Sequence, residues 1–158
     1  MVEITHITPE TPHLETLVAE MATSKWTDLE HSWTLDATKA FLADPDNIWL
    51  LAMVDGQVAG MLTGYQLLKY DARQKESLLY EIETKPEFRR QGIGQQLIKA
   101  FLEICQQAGS PEAWVLTDAD NAPARALYRS LKPSDEEGDI VMYSYDLVKS
   151  SNQEGEKS

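Results

Sequence analysis

One cysteine among 158 residues, Cys105, excludes an internal disulfide, so packing must hold this chain together. No apolar run approaches the roughly 20 residues that a membrane span needs. The opening MVEITHITPETPHLE lacks a basic segment leading into an apolar core, so neither a transmembrane helix nor a secretory signal is expected. Basic residues are scarce too: 14 lysines and arginines stand against 26 aspartates and glutamates, a formal charge of −12. Such a surface repels the phosphate backbone that supplies most non-specific nucleic-acid affinity, which argues against DNA or RNA as the main partner. A cationic small molecule, or plain solubility, is left to explain the acidity. The three histidines, His6, His13 and His31, lack metal-ligand spacing, so no metal site is expected. The lone thiol fits a reducing cytoplasm.

What is present reads as one domain. With 42% hydrophobic and 25% charged residues, the composition is that of a soluble globular protein. A single domain over 1–148 is expected, followed by a disordered polar tail, KSSNQEGEKS, over 149–158. EITHI reads as a short strand, and helices are expected over TPETPHLETLVAEMAT and from Thr34 through LDATKAFLA. The second helix stops at Asp44-Pro45 because the residue before proline leaves the helical region. IWLLAMV and QVAGMLTGYQLL form two strands joined by Asp55-Gly56, a pair suited to the positive φ values of a tight hairpin. LLYEIET is a strand, and the helix after it carries Ile93, Leu97, Phe101, Ile104 and Ala108 on one face before Gly109 ends it. AWVLTD is a strand, DNAPARALYRSL a helix with Asn121 as cap and Pro123 in its first turn, and IVMYSYDL a final strand. Paired strands mixed with crossing helices argue for an α/β or α+β layered domain around a mixed sheet.

The most informative stretch is FRRQGIGQQLI, residues 88 to 98, where a strand passes through a glycine turn into a helix. Such a junction presents unpaired N–H groups at a helix N-terminus, where the macrodipole favours an anion. Gly92 and Gly94 would let a phosphate approach the backbone, and Arg89 and Arg90 add charge. Taken alone, the glycines equally suit a simple tight turn. A P-loop would need a lysine and a hydroxyl that are absent, and Leu97 stands where a dinucleotide-binding turn wants glycine or alanine.

Arg89-x-x-Gly92-x-Gly94 behind a strand instead resembles the pyrophosphate loop of the GNAT superfamily of N-acetyltransferases. A later alanine-leucine-tyrosine signature is matched by Asn121, Ala126, Leu127 and Tyr128. More narrowly, YQLLKYDARQKESLLYEIETKPEFRRQGIG, TDADNAPARALYRSL and the closing MYSYDL are similar to the type I aminoglycoside 3-N-acetyltransferases. The likeness covers about 47 to 147. It implies a GNAT fold, with a mixed, mostly antiparallel sheet of about six to seven strands flanked by about four helices. It further implies acetyl-CoA as co-substrate, a small and cationic amine as acceptor, and a homodimer. The cofactor would be held by Ile82, Thr84, Arg89, Arg90, Gln91, Gly92, Ile93, Gly94 and Gln95, with Asn121 and Ala124. Two features depart from the family pattern: Lys132-Pro133 and the acidic DEEGD stand where glycine and an apolar residue are usual, and Glu83 and Thr84 replace small or branched apolar residues.

Acetyl transfer to an amine needs an unprotonated amine at the carbonyl, a donor for the developing oxyanion and a proton for the leaving thiolate. Glu81 and Glu83, two apart on a strand, point to one face beside the loop. The resemblance makes Glu81 the base, whereas Glu83 also reads as part of a solvated strand face. Tyr128 is the expected proton donor, since a phenol titrates near a thiol; its place in an apolar stripe with Ala124, Leu127 and Leu131 also suits packing. The oxyanion donor would be a backbone N–H between Ile82 and Thr84, if the strand splays there. Cys105 sits within an apolar pattern and reads as packed. Trp26, Asp28 and Trp33 lie where an acceptor loop would form, although packing explains them as well. Other acceptors, such as a polyamine, another small amine or a peptide N-terminus, stay open, as does a non-catalytic acyl-CoA-binding module.

Overall fold

The computed structural model of the chain describes residues 1–27, 32–71 and 73–148. The expected tail at 149–158, and Asp28 and His31, lie outside these residues. Five strands form one sheet in the order β1 (Val2–Ile7), β2 (Asn47–Val54), β3 (Gln57–Leu68), β4 (Lys75–Thr84) and β5 (Ala113–Val115). The first four pair antiparallel, while β5 runs parallel to β4 because a helix crosses between them. Helices α1 (Leu14–Thr23) and α2 (Leu35–Leu42) connect β1 to β2, α3 (Ile93–Gln107) connects β4 to β5, and α4 (Ala122–Ser130) follows β5. The mixed α/β class, the mostly antiparallel sheet and the four helices are as expected.

The central strands are apolar almost throughout because both of their faces are covered. Ile48, Leu50 and Ala52 of β2 turn to one face with Leu62 and with Ile93, Leu97 and Phe101 of α3. Trp49 and Leu51 turn to the other face, with Met61, Val18 and Met21 of α1 and Leu42 of α2. The β2–β3 hairpin turns at Asp55 and Gly56, whose φ values of 49° and 78° are both in the region that this turn demands. Along α3 the buried seam is Ile93, Leu97, Ile98, Phe101 and Cys105, with the expected Ile104 only partly covered and Ala108 exposed at the cap.

α3 lies directly on β3 at two glycines. A Cβ on Gly60 would come within 2.9 Å of Ile93 Cγ2, and one on Gly64 within 2.5 Å of Phe101 Cε2 and 2.9 Å of the Leu78 carbonyl. Phe101 is fully buried and has nowhere to retreat. Gly64→Ala is therefore expected to cost about 1–3 kcal/mol by overpacking, seen as a melting temperature lower by at least about 3 °C. An unchanged melting temperature would deny the close approach.

The chain beyond α4 departs from expectation. IVMYSYDL forms no strand, its large apolar residues are exposed up to 91% at Leu147, and the sheet has five strands among the described residues where six to seven were expected. Lys132 turns the chain in a left-handed conformation (φ 53°), and Pro133 follows with no N–H to offer a ladder. Glu136 then accepts hydrogen bonds from Arg129 Nε (2.8 Å) and Arg125 Nη2 (3.0 Å). The Arg129 and Arg125 guanidiniums pull its carboxyl down to about 2. The acidic run is thus tied to α4 rather than returned to the edge of β5, which keeps only three residues.

Candidate active site

β4 ends at Thr84, a 3-10 turn covers Pro86–Phe88, and the loop enters α3 through Arg90 and Gly92, both at positive φ (62° and 74°). A Cβ on Gly92 would meet nothing within 4 Å, so the space in front of the helix mouth is open. The first-turn amides of α3 have no acceptor of their own within the helix, whose ladder starts as Gln96 N–H donates to the Gly92 carbonyl (3.1 Å). No acidic residue occupies that first turn, which leaves the positive end of the dipole unopposed there. A diphosphate fits this cradle. Arg90 and Gln91 are exposed beside it, and Ile93 is buried beneath.

The other loop residues are engaged differently. A Cβ on Gly94 would come within 3.0 Å of Leu127 Cδ2, so this glycine lets α4 approach α3. Gln95 Nε2 donates to Ser130 Oγ (2.9 Å), and Asn121 caps α4 by accepting from the Ala124 N–H (3.2 Å). Arg89 turns away from the helix mouth: its Nε donates to the Thr84 carbonyl (3.3 Å) and its Nη2 to Thr27 Oγ1 (2.9 Å).

β4 and β5 pair only from Ser77↔Ala113 to Leu79↔Val115, while β4 continues to Thr84 alongside β3. The parallel ladder thus stops at Leu79, and Ile82 and Thr84 of β4 lie past its end. On one side of the sheet lies Tyr128, half-buried on α4 and packed against the α3 cluster; burial pushes its phenol up. On the other side lie the carboxylates.

Register fixes that second side. Trp49, Thr63 and Glu81 form one cross-strand row, and Leu51, Met61 and Glu83 the next, so Glu81 and Glu83 share the face covered by α1 and α2. A register shift between Thr63 and Gly64 makes Tyr80 the extra residue of a bulge. Tyr80 and Glu81 therefore emerge on the same face. The Tyr80 ring stands edge-on to Tyr65 (5.4 Å between centroids), Tyr65 edge-on to Phe41 of α2 (5.8 Å), and Thr63 Oγ1 lies 3.4 Å from Glu81 Oε2. Burial, then the neighbouring Tyr80 and Glu81, pushes the Tyr65 phenol up. Glu83 is instead buried and accepts from the Thr27 N–H (2.5 Å). The two carboxylates face unlike surroundings, one beside a partly open aromatic row and the other beneath the chain leaving α1.

Trp33 stacks on Trp49 (5.2 Å), and Trp26 lies over Lys85, so both tryptophans pack. Cys105 is buried, and burial raises its thiol, which removes it as a nucleophile. Among the described residues, no cluster of three or more His, Cys, Asp and Glu is placed to hold a metal ion, and no helix is long and apolar enough to cross a membrane. Phe41, Thr63 and Thr27 were not foreseen: all three join the site through tertiary contacts, and no local motif marks them.

The model of the acetyltransferase (GNAT) family matches residues 16–132. Over 86 residues, 54% of this chain, the sequence is 35% identical to a mycothiol acetyltransferase of Clavibacter sepedonicus, and it spans 26% of that protein's length. The crystal structure of an aminoglycoside acetyltransferase, HMB0005, from an uncultured soil metagenomic sample is similar at a TM-score of 0.76 and 25% identity, over 94% of this chain and 99% of that one. The aminoglycoside N-acetyltransferase AAC(6')-Iy, solved with CoA, is similar in fold at a TM-score of 0.67 and 18% identity, over 91% and 98% of the two chains. Matched by the family model over most of its length and folded as these proteins are, the chain belongs to the acetyltransferase (GNAT) family.

Proposed function

We propose that this protein transfers acetyl from acetyl-CoA to a primary amine by direct attack in a ternary complex, and that the amine is a polycation of the aminoglycoside type. The observation that carries the acceptor is the bulge at Tyr80, which sets Glu81 and the Phe41–Tyr65–Tyr80 aromatic row on one face beside the cofactor loop. A carboxylate next to ring faces and edges suits an ammonium borne on a ring, and the −12 charge favours its approach. The structural likeness to aminoglycoside acetyltransferases supports the same choice.

Bound acetyl-CoA supplies the activated thioester carbonyl. The first-turn amides of α3 and Arg90 hold the diphosphate, and the rest enters past the end of the β4–β5 ladder, beside Ile82 and Thr84. Glu81 orients the ammonium and takes its proton, a backbone N–H in the stretch Ile82 to Thr84 receives the developing oxyanion, and Tyr128 returns a proton to the leaving sulfur. A single buried thiol is compatible with work in the reducing cytoplasm.

Thiol release from acetyl-CoA against aminoglycosides, polyamines and peptides tests the whole reading. Highest kcat/KM on an aminoglycoside is expected; a peptide or polyamine in first place would move the acceptor, and no release with any amine would defeat the proposal. The cradle is tested separately. Gly92→Val brings a β-branched side chain to φ 74° and into the open mouth of α3, so the Kd for CoA by calorimetry should rise at least about tenfold, or ~1.4 kcal/mol. Unchanged affinity in a folded variant would place the diphosphate elsewhere.

A further inference from the structure

A buried polar cluster holds the chain where it leaves α1. Glu20 accepts from the Val58 N–H (2.7 Å) and lies 3.8 Å from Lys85 Nζ. Lys85 is 7% exposed, with its ammonium 5.4 Å from the centre of the Trp26 ring, and Trp26 Nε1 donates to the Met21 carbonyl (3.2 Å). The next residue, Thr27, is gripped twice: its N–H donates to Glu83, and its hydroxyl accepts from Arg89. Glu83 and Lys85 are the buried charged residues of the described chain, and burying charge costs several kcal/mol before pairing offsets it. That expense is concentrated on the placement of one short stretch, Ser24 to Thr27.

The two grips come from different parts of the site. Glu83 sits one strand repeat from Glu81 on the acceptor face, whereas Arg89 belongs to the loop that leads into α3. Arg89 also holds the last carbonyl of β4, so its guanidinium joins the strand end, the loop and Thr27. We propose that Glu83 and Arg89 are positioning residues which, through Thr27, couple the wall of the acceptor site to occupation of the cofactor loop. This rests on the function proposed above. A diphosphate at the mouth of α3 orders the loop that carries Arg89, and an ordered Arg89 fixes Thr27, so an acceptor arriving second meets a wall already in place and binds more tightly. By linkage the acceptor tightens CoA binding by the same factor.

The test is amide hydrogen exchange at position 27, with and without CoA, in the wild type, Thr27→Val and Thr27→Ser, alongside calorimetry of CoA and steady-state kinetics. Thr27→Val deletes the hydroxyl and keeps the N–H that Glu83 accepts. CoA should slow exchange at position 27 at least about threefold in the wild type and in Thr27→Ser, and have no such effect in Thr27→Val. In Thr27→Val the Kd for CoA alone should stay within about threefold of the wild type, while KM for the acceptor rises severalfold and kcat changes less than about twofold. Thr27→Ser should restore KM. An exchange rate indifferent to CoA in the wild type, or a CoA effect that survives in Thr27→Val, would overturn the coupling while CoA binding stands. Failure of the wild type to bind CoA would overturn both this coupling and the function on which it rests.

Discussion

Glu81→Gln is expected to lower kcat by about 10²–10⁴-fold, the usual range for loss of a general base, with CoA affinity unchanged. A protonated amine has no lone pair to attack with, so a carboxylate that orients the ammonium and accepts its proton acts on the chemical step. Glutamine keeps the size and one acceptor oxygen but loses charge and basicity, so amine affinity should fall less than kcat. Glu81 lies on the partly open face beside Tyr80 and Tyr65, whereas Glu83 is buried against the Thr27 N–H. Glu83→Gln should accordingly do less to kcat. Steady-state kinetics of both variants from pH 6 to 9 decide it, and the Glu81→Gln rate should still rise with pH as free amine accumulates. Loss of kcat in Glu83→Gln with Glu81→Gln near wild type would move the base one strand repeat along β4. Retention in both would remove β4 carboxylates from proton transfer.

Tyr128→Phe should lower kcat by about 10²-fold, near the lower end for a general acid, and leave the Kd for CoA within about threefold. The ring keeps its packing among Leu127, Leu131 and the α3 cluster, so only the hydroxyl is lost. Burial raises the Tyr128 pKa above its ordinary value near 10, so the phenol stays protonated throughout pH 6–9 and supplies no falling limb in that range. The same shift has a sign for stability. A folded pKa above the unfolded one favours the native state while the phenol is protonated, and that contribution is lost as pH rises through 10 and beyond. A melting temperature that holds in Tyr128→Phe while kcat falls separates the chemical role from packing; unchanged kcat assigns Tyr128 to the core alone.

Elements whose cause is local were legible in the sequence. Asp55-Gly56 demanded its hairpin through backbone sterics, Asn121 and Pro123 marked the start of α4, and the glycine turn at Gly92 announced the mouth of α3. Alternation alone put Glu81 and Glu83 on one face. Features that arise from register between distant strands were not legible. Nothing in LLYEIET marks Tyr80 as the extra residue, because the shift depends on β3 at Gly64, where Phe101 presses on the backbone. The second grip on Thr27 links residues 62 positions apart and leaves no periodic trace. IVMYSYDL has strand chemistry, yet the turn at Lys132-Pro133 and the ties from Glu136 to α4 decide where it goes.

That unpaired stretch has a consequence for how the protein behaves as a colloid. Ile140, Val141, Met142, Tyr143, Tyr145 and Leu147 lie exposed in a β-prone run, in a chain whose sheet ends on the three-residue edge strand β5. Directly before them stand Asp135, Glu136, Glu137 and Asp139, an arrangement of charge flanking a sticky segment that keeps such chains apart in solution. Glu136 is already neutralised by its two arginines, so the work of repulsion falls to the other three carboxylates and to the overall negative charge. Salt screens those charges and acid discharges them, and concentrated stocks held at low pH or high ionic strength are where turbidity should first develop.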